Sequence, residues 1–197
     1  MLARYGAICQ ENGLVPIIEP EVVMDGKHDI QRSYDVTYRV QAATVEAMQR
    51  HNLILEGILF KPNMVRPGSD ATPVSAEIVA RQTVRLLQNT LPSAVPGVHF
   101  LSGGMTEEFA TECLNEMNRL PLGARPWTLS FSYGRALQQS VLKAYLGKKE
   151  NVKAAQHQLL LRAKANSLAT LGKYTGEGKE SAAAKDSLKE DGYIYRS

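Results

Sequence analysis

The chain has 197 residues, 44% of them hydrophobic, and a formal net charge of +3, which suits one soluble core or a large part of a bigger domain. No apolar run approaches bilayer length, and Met1-Leu2-Ala3-Arg4-Tyr5-Gly6 lacks the layout of a signal peptide. The basic residues are dispersed, with no stripe interleaved with aromatics, so a nucleic-acid partner and a membrane are both excluded as expectations, while an anionic metabolite suits the mild basic excess.

Leu2 to Glu11 reads as the end of a helix closing at Asn12-Gly13, with no cap before it and no strand leading in. Leu14 to Ile18 is the first apolar run with strand character, and residues 31 to 51 follow with helical spacing at Val36, Val40, Ala43 and Ala47. Leu53 to Phe60 is the second strand, apolar on both faces, and Pro62 ends its ladder by removing a donor. A helix over 74 to 90 takes its start signal from Asp70 to Ser75. Val98 to Leu101 is the third strand, and a helix over 105 to 119 starts at Thr106-Glu107-Glu108. Trp127 to Phe131 is the fourth strand; helices follow over Ala136 to Leu146 and Asn151 to Leu171, where Leu159, Leu160 and Ala163 mark an apolar side. Past Gly172 periodicity fades, so residues 1 to 172 form one body and 173 to 197 read as a flexible tail.

Strands alternating with helices imply parallel strands and right-handed crossovers. A (β/α)₈ barrel uses about 250 residues, roughly 30 per unit, so four units make about half a barrel. A four-stranded parallel sheet with buried faces leaves two long edges unpaired, which invites association with another chain.

Lys61 stands directly behind the second strand, at the carboxyl end where α/β proteins place their sites. An amine held in a low-dielectric site loses its charge more readily and can form a Schiff base with a carbonyl; the alternative is a lysine that snorkels to solvent. Glu19 and Glu21 close the first strand. Neighbouring parallel strands lie about 4.8 Å apart, which brings the Glu19 carboxylate within reach of the amine. Glu19 suits the proton transfers of Schiff-base formation; a partly buried ion pair is the other reading.

The third strand runs into Ser102-Gly103-Gly104 and the fourth into Ser132-Tyr133-Gly134-Arg135, each followed by a helix. Glycines let backbone N–H groups approach an anion, a helix N-terminus adds positive potential, and an arginine grips phosphate with two parallel hydrogen bonds. Together with Lys61 and Glu19 these loops favour a phosphorylated substrate. Cys9 and Cys113 fit neither a disulfide framework nor a zinc ribbon, which suits a reducing, cytoplasmic setting. His28, His51, His99 and His157 are isolated, so solvated or helix-end histidines are expected and neither a metal nor another cofactor is.

The chain resembles the carboxyl-terminal half of class I fructose-1,6-bisphosphate aldolases. The resemblance is carried by Gly13-Leu14-Val15-Pro16-Ile17-Ile18-Glu19-Pro20-Glu21, Leu59-Phe60-Lys61-Pro62-Asn63-Met64-Val65, Phe100-Leu101-Ser102-Gly103-Gly104 and Phe131-Ser132-Tyr133-Gly134-Arg135-Ala136-Leu137. Gly147-Lys148-Lys149-Glu150-Asn151 and Ala165-Asn166-Ser167-Leu168 extend it over nearly the whole chain. It implies a metal-free (β/α)₈ barrel, homotetrameric at full length, that cleaves fructose 1,6-bisphosphate to dihydroxyacetone phosphate and glyceraldehyde 3-phosphate in glycolysis and its reversal. By the resemblance Lys61 forms the Schiff base, Glu19 serves proton transfer and Glu21 supports the lysine. Ser102, Gly103, Gly104, Ser132, Gly134 and Arg135 would hold a substrate phosphate. The family's catalytic aspartate and two further lysines lie on earlier strands and have no counterpart here, so the isolated chain is expected to be inactive or nearly so. Family members end in a tyrosine that reaches the active site; here Tyr195, with Tyr193 as the competing position, would take that part.

Overall fold

The structure is a computed structural model that describes residues 1–176. Strands Ile17–Ile18 (β1), Leu59–Phe60 (β2), Gly97–Phe100 (β3) and Thr128–Phe131 (β4) form one sheet in the order β1-β2-β3-β4, every neighbouring pair parallel. The helices are Leu2–Glu11 (α1), Ile30–Arg50 (α2), Ala76–Thr90 (α3), Glu107–Arg119 (α4), Arg135–Tyr145 (α5) and Val152–Thr170 (α6). The α/β alternation expected from the sequence is present as four consecutive βα units.

Local chemistry sets the helix limits. The side chains of Asp29, Ser75 and Thr106 each accept the backbone N–H three residues on, at 2.8, 3.4 and 3.2 Å, starting α2, α3 and α4; such a cap contributes about 1 kcal/mol. Helices α1, α2 and α6 end alike, with Gly13, Asn52 and Gly172 at φ values of +73°, +53° and +66°. The next residue then donates back, Leu14 to Cys9, Leu53 to Met48 and Lys173 to Leu168, which satisfies carbonyls the helix leaves open. At Gly172 a Cβ would also stand 3.0 Å from the Arg119 backbone, so a glycine lets α6 end against the end of α4.

Register aligns Ile18, Phe60, Val98 and Leu129 in one row across the sheet. All four are buried, packed with Met48, Val84, Leu87, Cys113, Leu114 and Met117 from the helices. The opposite row is different: Ile17 and Thr128 are exposed and Leu59 is half-buried. Gly97 is the one buried member of that row, and the helices cover the other face, the outer wall of a partial barrel.

Three expectations need correction. Leu53 to Phe60 is not one strand, because a single 3₁₀ turn spans Leu55–Gly57 and only Leu59 and Phe60 pair. Gln10 of α1 fixes that turn, accepting from Ile54 N–H at 3.0 Å while donating to the Ile54 and Gly57 carbonyls. Leu53 is buried as the residue that closes α2, not as a sheet residue. The apolar side of α6 is also misplaced. Leu159 and Leu160 are exposed, whereas Ala155, Arg162, Ala165, Asn166 and Ala169 face inward, because small residues let α6 approach and Arg162 finds acceptors there. The edges, finally, are short: β1 has two residues and β4 four. Of the expected tail, residues 177–197 lie outside the described residues. Residues 173–176 are described, and Tyr174 packs into the core with its N–H on Asn115.

Candidate active site

Lys61 is placed by the ladder. Its backbone N–H donates to Ile18 C=O at 2.8 Å, and Leu59 N–H donates to Pro16 C=O at 3.0 Å. The residue after Ile18 is Glu19, so the two side chains leave neighbouring strand ends side by side. Lys61 Nζ lies 2.9 Å from Glu19 Oε1, with the lysine side chain 20% and the glutamate 40% exposed. A pair this open to water contributes about 0–1 kcal/mol to stability, so it does little to hold the fold. The loops behind it are tied together, since Asn63 Oδ1 accepts Val22 N–H at 2.9 Å. Glu21 is exposed in that loop.

The second group of predicted residues sits at the ends of β3 and β4, which pair from Gly97 with Thr128 to Phe100 with Phe131. Ser132 N–H continues this ladder to Phe100 C=O at 2.9 Å, holding the two loops together. Gly103 and Gly104 have φ of +43° and +70°, a run that side-chain-bearing residues rarely adopt. Their N–H groups donate to no acceptor among the described residues. Gly134 caps α5 at φ −85°, and a Cβ built there meets nothing within 4 Å. Neither a positive φ nor the protein's own packing requires glycine at that point. Arg135 beside it is exposed and makes no ion pair among the described residues.

Behind these loops the helices are fastened by buried polar groups. Glu107, the first residue of α4, accepts from Ser140 N–H and Oγ of α5 at 3.1 and 2.9 Å. Arg162 of α6 donates through Nη2 to Glu107 C=O at 2.6 Å and Thr111 Oγ1 at 2.7 Å, and Thr111 donates on to Asn166 at 2.8 Å. Both loop-bearing helices are thereby locked to α6.

Two residues near the site carry no marker in the sequence. His99, expected to be solvated or at a helix end, lies in β3, and the register two residues past Leu59 and Gly97 sets it beside Lys61. Its Nδ1 is buried without a partner, and burial lowers its pKa below the ordinary 6.5. His51 does end a helix, with Nδ1 3.0 Å from Ala47 O. Arg66 reaches from the loop after β2 to Gly103 C=O at 3.0 Å. Cys113 offers no thiol chemistry, because burial pushes its pKa far up. The same effect raises Tyr133, whose hydroxyl donates to Ala110 C=O at 3.0 Å. A cavity of about 370 Å³ beside Lys27, Asp29, Pro67 and Asp70 includes none of the predicted residues. Among the described residues no cluster of metal-ligating side chains occurs.

The structure thus brings a lysine amine at the end of β2 onto a carboxylate at the end of the preceding strand β1, and sets two glycine-bearing loops at the ends of β3 and β4. The profile of the fructose-bisphosphate aldolase class-I family matches residues 1–195. The chain belongs to this family. It is 60% identical over 194 residues to a cytoplasmic isozyme 2 fructose-bisphosphate aldolase of Pisum sativum, covering 98% of this chain and 54% of the relative. It is 58% identical, with the same coverage, to a cytosolic fructose-bisphosphate aldolase 5 of Arabidopsis thaliana. The solved fructose-bisphosphate aldolase of Plasmodium falciparum, in complex with TRAP and a small-molecule inhibitor, superposes with a TM-score of 0.85 at 53% identity, over 89% of this chain and 50% of that one. The chain thus spans about half the length of the curated relatives it matches, and its fold is a partial aldolase barrel. Tyr193 and Tyr195, the alternatives for the family's terminal tyrosine, lie outside the described residues.

Proposed function

We propose that this chain carries the Schiff-base half of a class I aldolase site acting on fructose 1,6-bisphosphate in the cytoplasm. Neutral Lys61 Nζ attacks the C2 carbonyl, Glu19 carries the proton from nitrogen to oxygen, and water leaves to give an iminium. The iminium accepts the electrons of the C3–C4 bond as it breaks. Glyceraldehyde 3-phosphate departs once a base has taken its C4 hydroxyl proton, and an enamine stays on Lys61. Protonation at C3, assigned to Tyr195 by the family resemblance, restores the iminium. Hydrolysis then releases dihydroxyacetone phosphate and the free amine. Glu21 supports the lysine environment, the part the family resemblance assigns to it. Ser102, Gly103, Gly104, Ser132, Gly134 and Arg135 hold a phosphate through the open N–H groups of Gly103 and Gly104, the serine hydroxyls and the Arg135 fork.

The observation that carries this reading is the 2.9 Å approach of Lys61 to Glu19 in a chain of this family. The base for the C4 hydroxyl, an aspartate on an earlier strand by the resemblance, is not among these residues. The 197-residue chain is therefore expected to form the imine without turning over. Incubation with dihydroxyacetone phosphate and borohydride, followed by mass spectrometry, should give one adduct on Lys61 and none in Lys61→Arg. An unlabelled Lys61 would sink the reading, and rapid cleavage of the bisphosphate would remove the claim of inactivity.

A second reading is association through the sheet edges with another aldolase chain. It is favoured by large apolar side chains exposed on both flanks: Leu14, Val15 and Ile17 at and before β1, and Leu142 on α5, Leu146 just past its end and Leu160 on α6. Sedimentation of the purified chain decides it, since a compact monomer at high concentration contradicts pairing.

A further inference from the structure

The glycine loop after β3 is held by a charge from a different strand. Arg66, five residues after Lys61, sends Nη2 to Gly103 C=O at 3.0 Å and lies 3.5 Å from where a Gly104 Cβ would stand. Its Nε is buried without a partner, and burial lowers its pKa. A partly desolvated guanidinium is costly unless something negative compensates it, and the Asp25 charge is near enough to offset part of that cost. Gly103 and Gly104 have no side chains to hold their unusual backbone in place. A peptide plane anchored by its carbonyl also has its opposite edge fixed: the Gly103 C=O and the Gly104 N–H belong to one plane and point in opposite directions. Holding that carbonyl on Arg66 therefore aims the Gly104 N–H away from Arg66.

We infer that Arg66 is a positioning residue for substrate phosphate, fixing the Gly103–Gly104 peptide so that its N–H is presented to the anion and coupling that loop to the lysine strand. The inference rests on the phosphate site of the proposed function.

The test is titration of the purified chain with inorganic phosphate, read from backbone amide shifts in wild type, Arg66→Met and Arg66→Gln. In wild type, Gly103, Gly104, Gly134 and Arg135 should all respond. In Arg66→Met, affinity should fall about tenfold, the scale of one lost charge-assisted hydrogen bond, with the Gly104 response lost and those of Gly134 and Arg135 retained. Arg66→Gln, which keeps a donor for Gly103, should recover most of the Gly104 response and serves as the readout if the methionine variant does not fold. No response in wild type overturns the phosphate site itself. A wild-type response left unchanged in both variants overturns the role of Arg66 alone. An equal loss at all four residues in both variants also overturns it, because that is the signature of general loosening.

Discussion

The two ends of the sheet present opposite states of the same polar chemistry. At β1 and β2 the groups meet each other: Lys61 lies on Glu19 and Asn63 ties the two loops. At β3 and β4 they are held apart and left open, with the Gly103 and Gly104 N–H groups and the Arg135 guanidinium directed at no protein partner among the described residues. Under the proposed function the difference has a reason: a nucleophile needs its proton acceptor beside it before substrate arrives, which suits an end closed on itself. A phosphate site needs fixed donors without acceptors, since any internal partner would compete with the ligand.

Open donors stay fixed only if what lies behind them is rigid, and the largest expected effect targets that support. Arg162→Ala removes two charge-assisted hydrogen bonds made in a fully buried setting and leaves a cavity. Unfolding free energy should fall by about 3–5 kcal/mol, measured by urea denaturation. Hydrogen exchange should quicken first at the starts of α4 and α5, and the Lys61–Glu19 end should be affected least. Uniform acceleration through β1 and β2 would show that the two ends are not separately supported.

Glu19→Gln acts on the closed end. The amide keeps the shape and loses the proton acceptor, so the rate of borohydride-trapped adduct on Lys61 should drop by about 100-fold, roughly 2.7 kcal/mol in barrier. Because the pair is open to water, stability should change by less than about 1 kcal/mol. A large loss of stability with an unchanged trapping rate would return Glu19 to the role of an ordinary ion-pair partner.

The closed end was legible in the sequence and much of its surroundings was not, for physical reasons. Lys61 and Glu19 each follow a short apolar run, and parallel pairing of consecutive strands does the rest. Helix ends were legible where a glycine marked them, as at Gly13 and Gly172, and starts where Thr106 and Ser75 supplied an oxygen. The run Leu53 to Phe60 misled because apolar residues that close a helix and those that enter a sheet look alike in one dimension, and the side chain that separates them, Gln10, lies 44 residues before Ile54. Helix α6 misled for a related reason. Its buried stripe holds alanines, an arginine and an asparagine, whose burial depends on acceptors supplied by α4. Arg66 and His99 were silent because a single arginine or histidine acquires meaning only from the strand that comes to lie next to it.

His99 offers the smallest effect and a direct probe of the row that joins the two ends, since it stands between Lys61 just past β2 and Ser130 on β4. Burial holds its pKa below the ordinary 6.5 in the folded chain. Below that value the unfolded chain takes up a proton that the folded chain resists, so the unfolded state binds more protons and stability rises with pH. The contribution is thus absent well above 6.5, appears as a loss as pH falls through the unfolded value, and levels off below the folded value. Urea midpoints of wild type should therefore decline between about pH 7.5 and about pH 5.5 more steeply than those of His99→Gln, which carries no titrating group. Parallel declines in both proteins would place His99 in contact with solvent and remove it from the row that links Lys61 to the open loops.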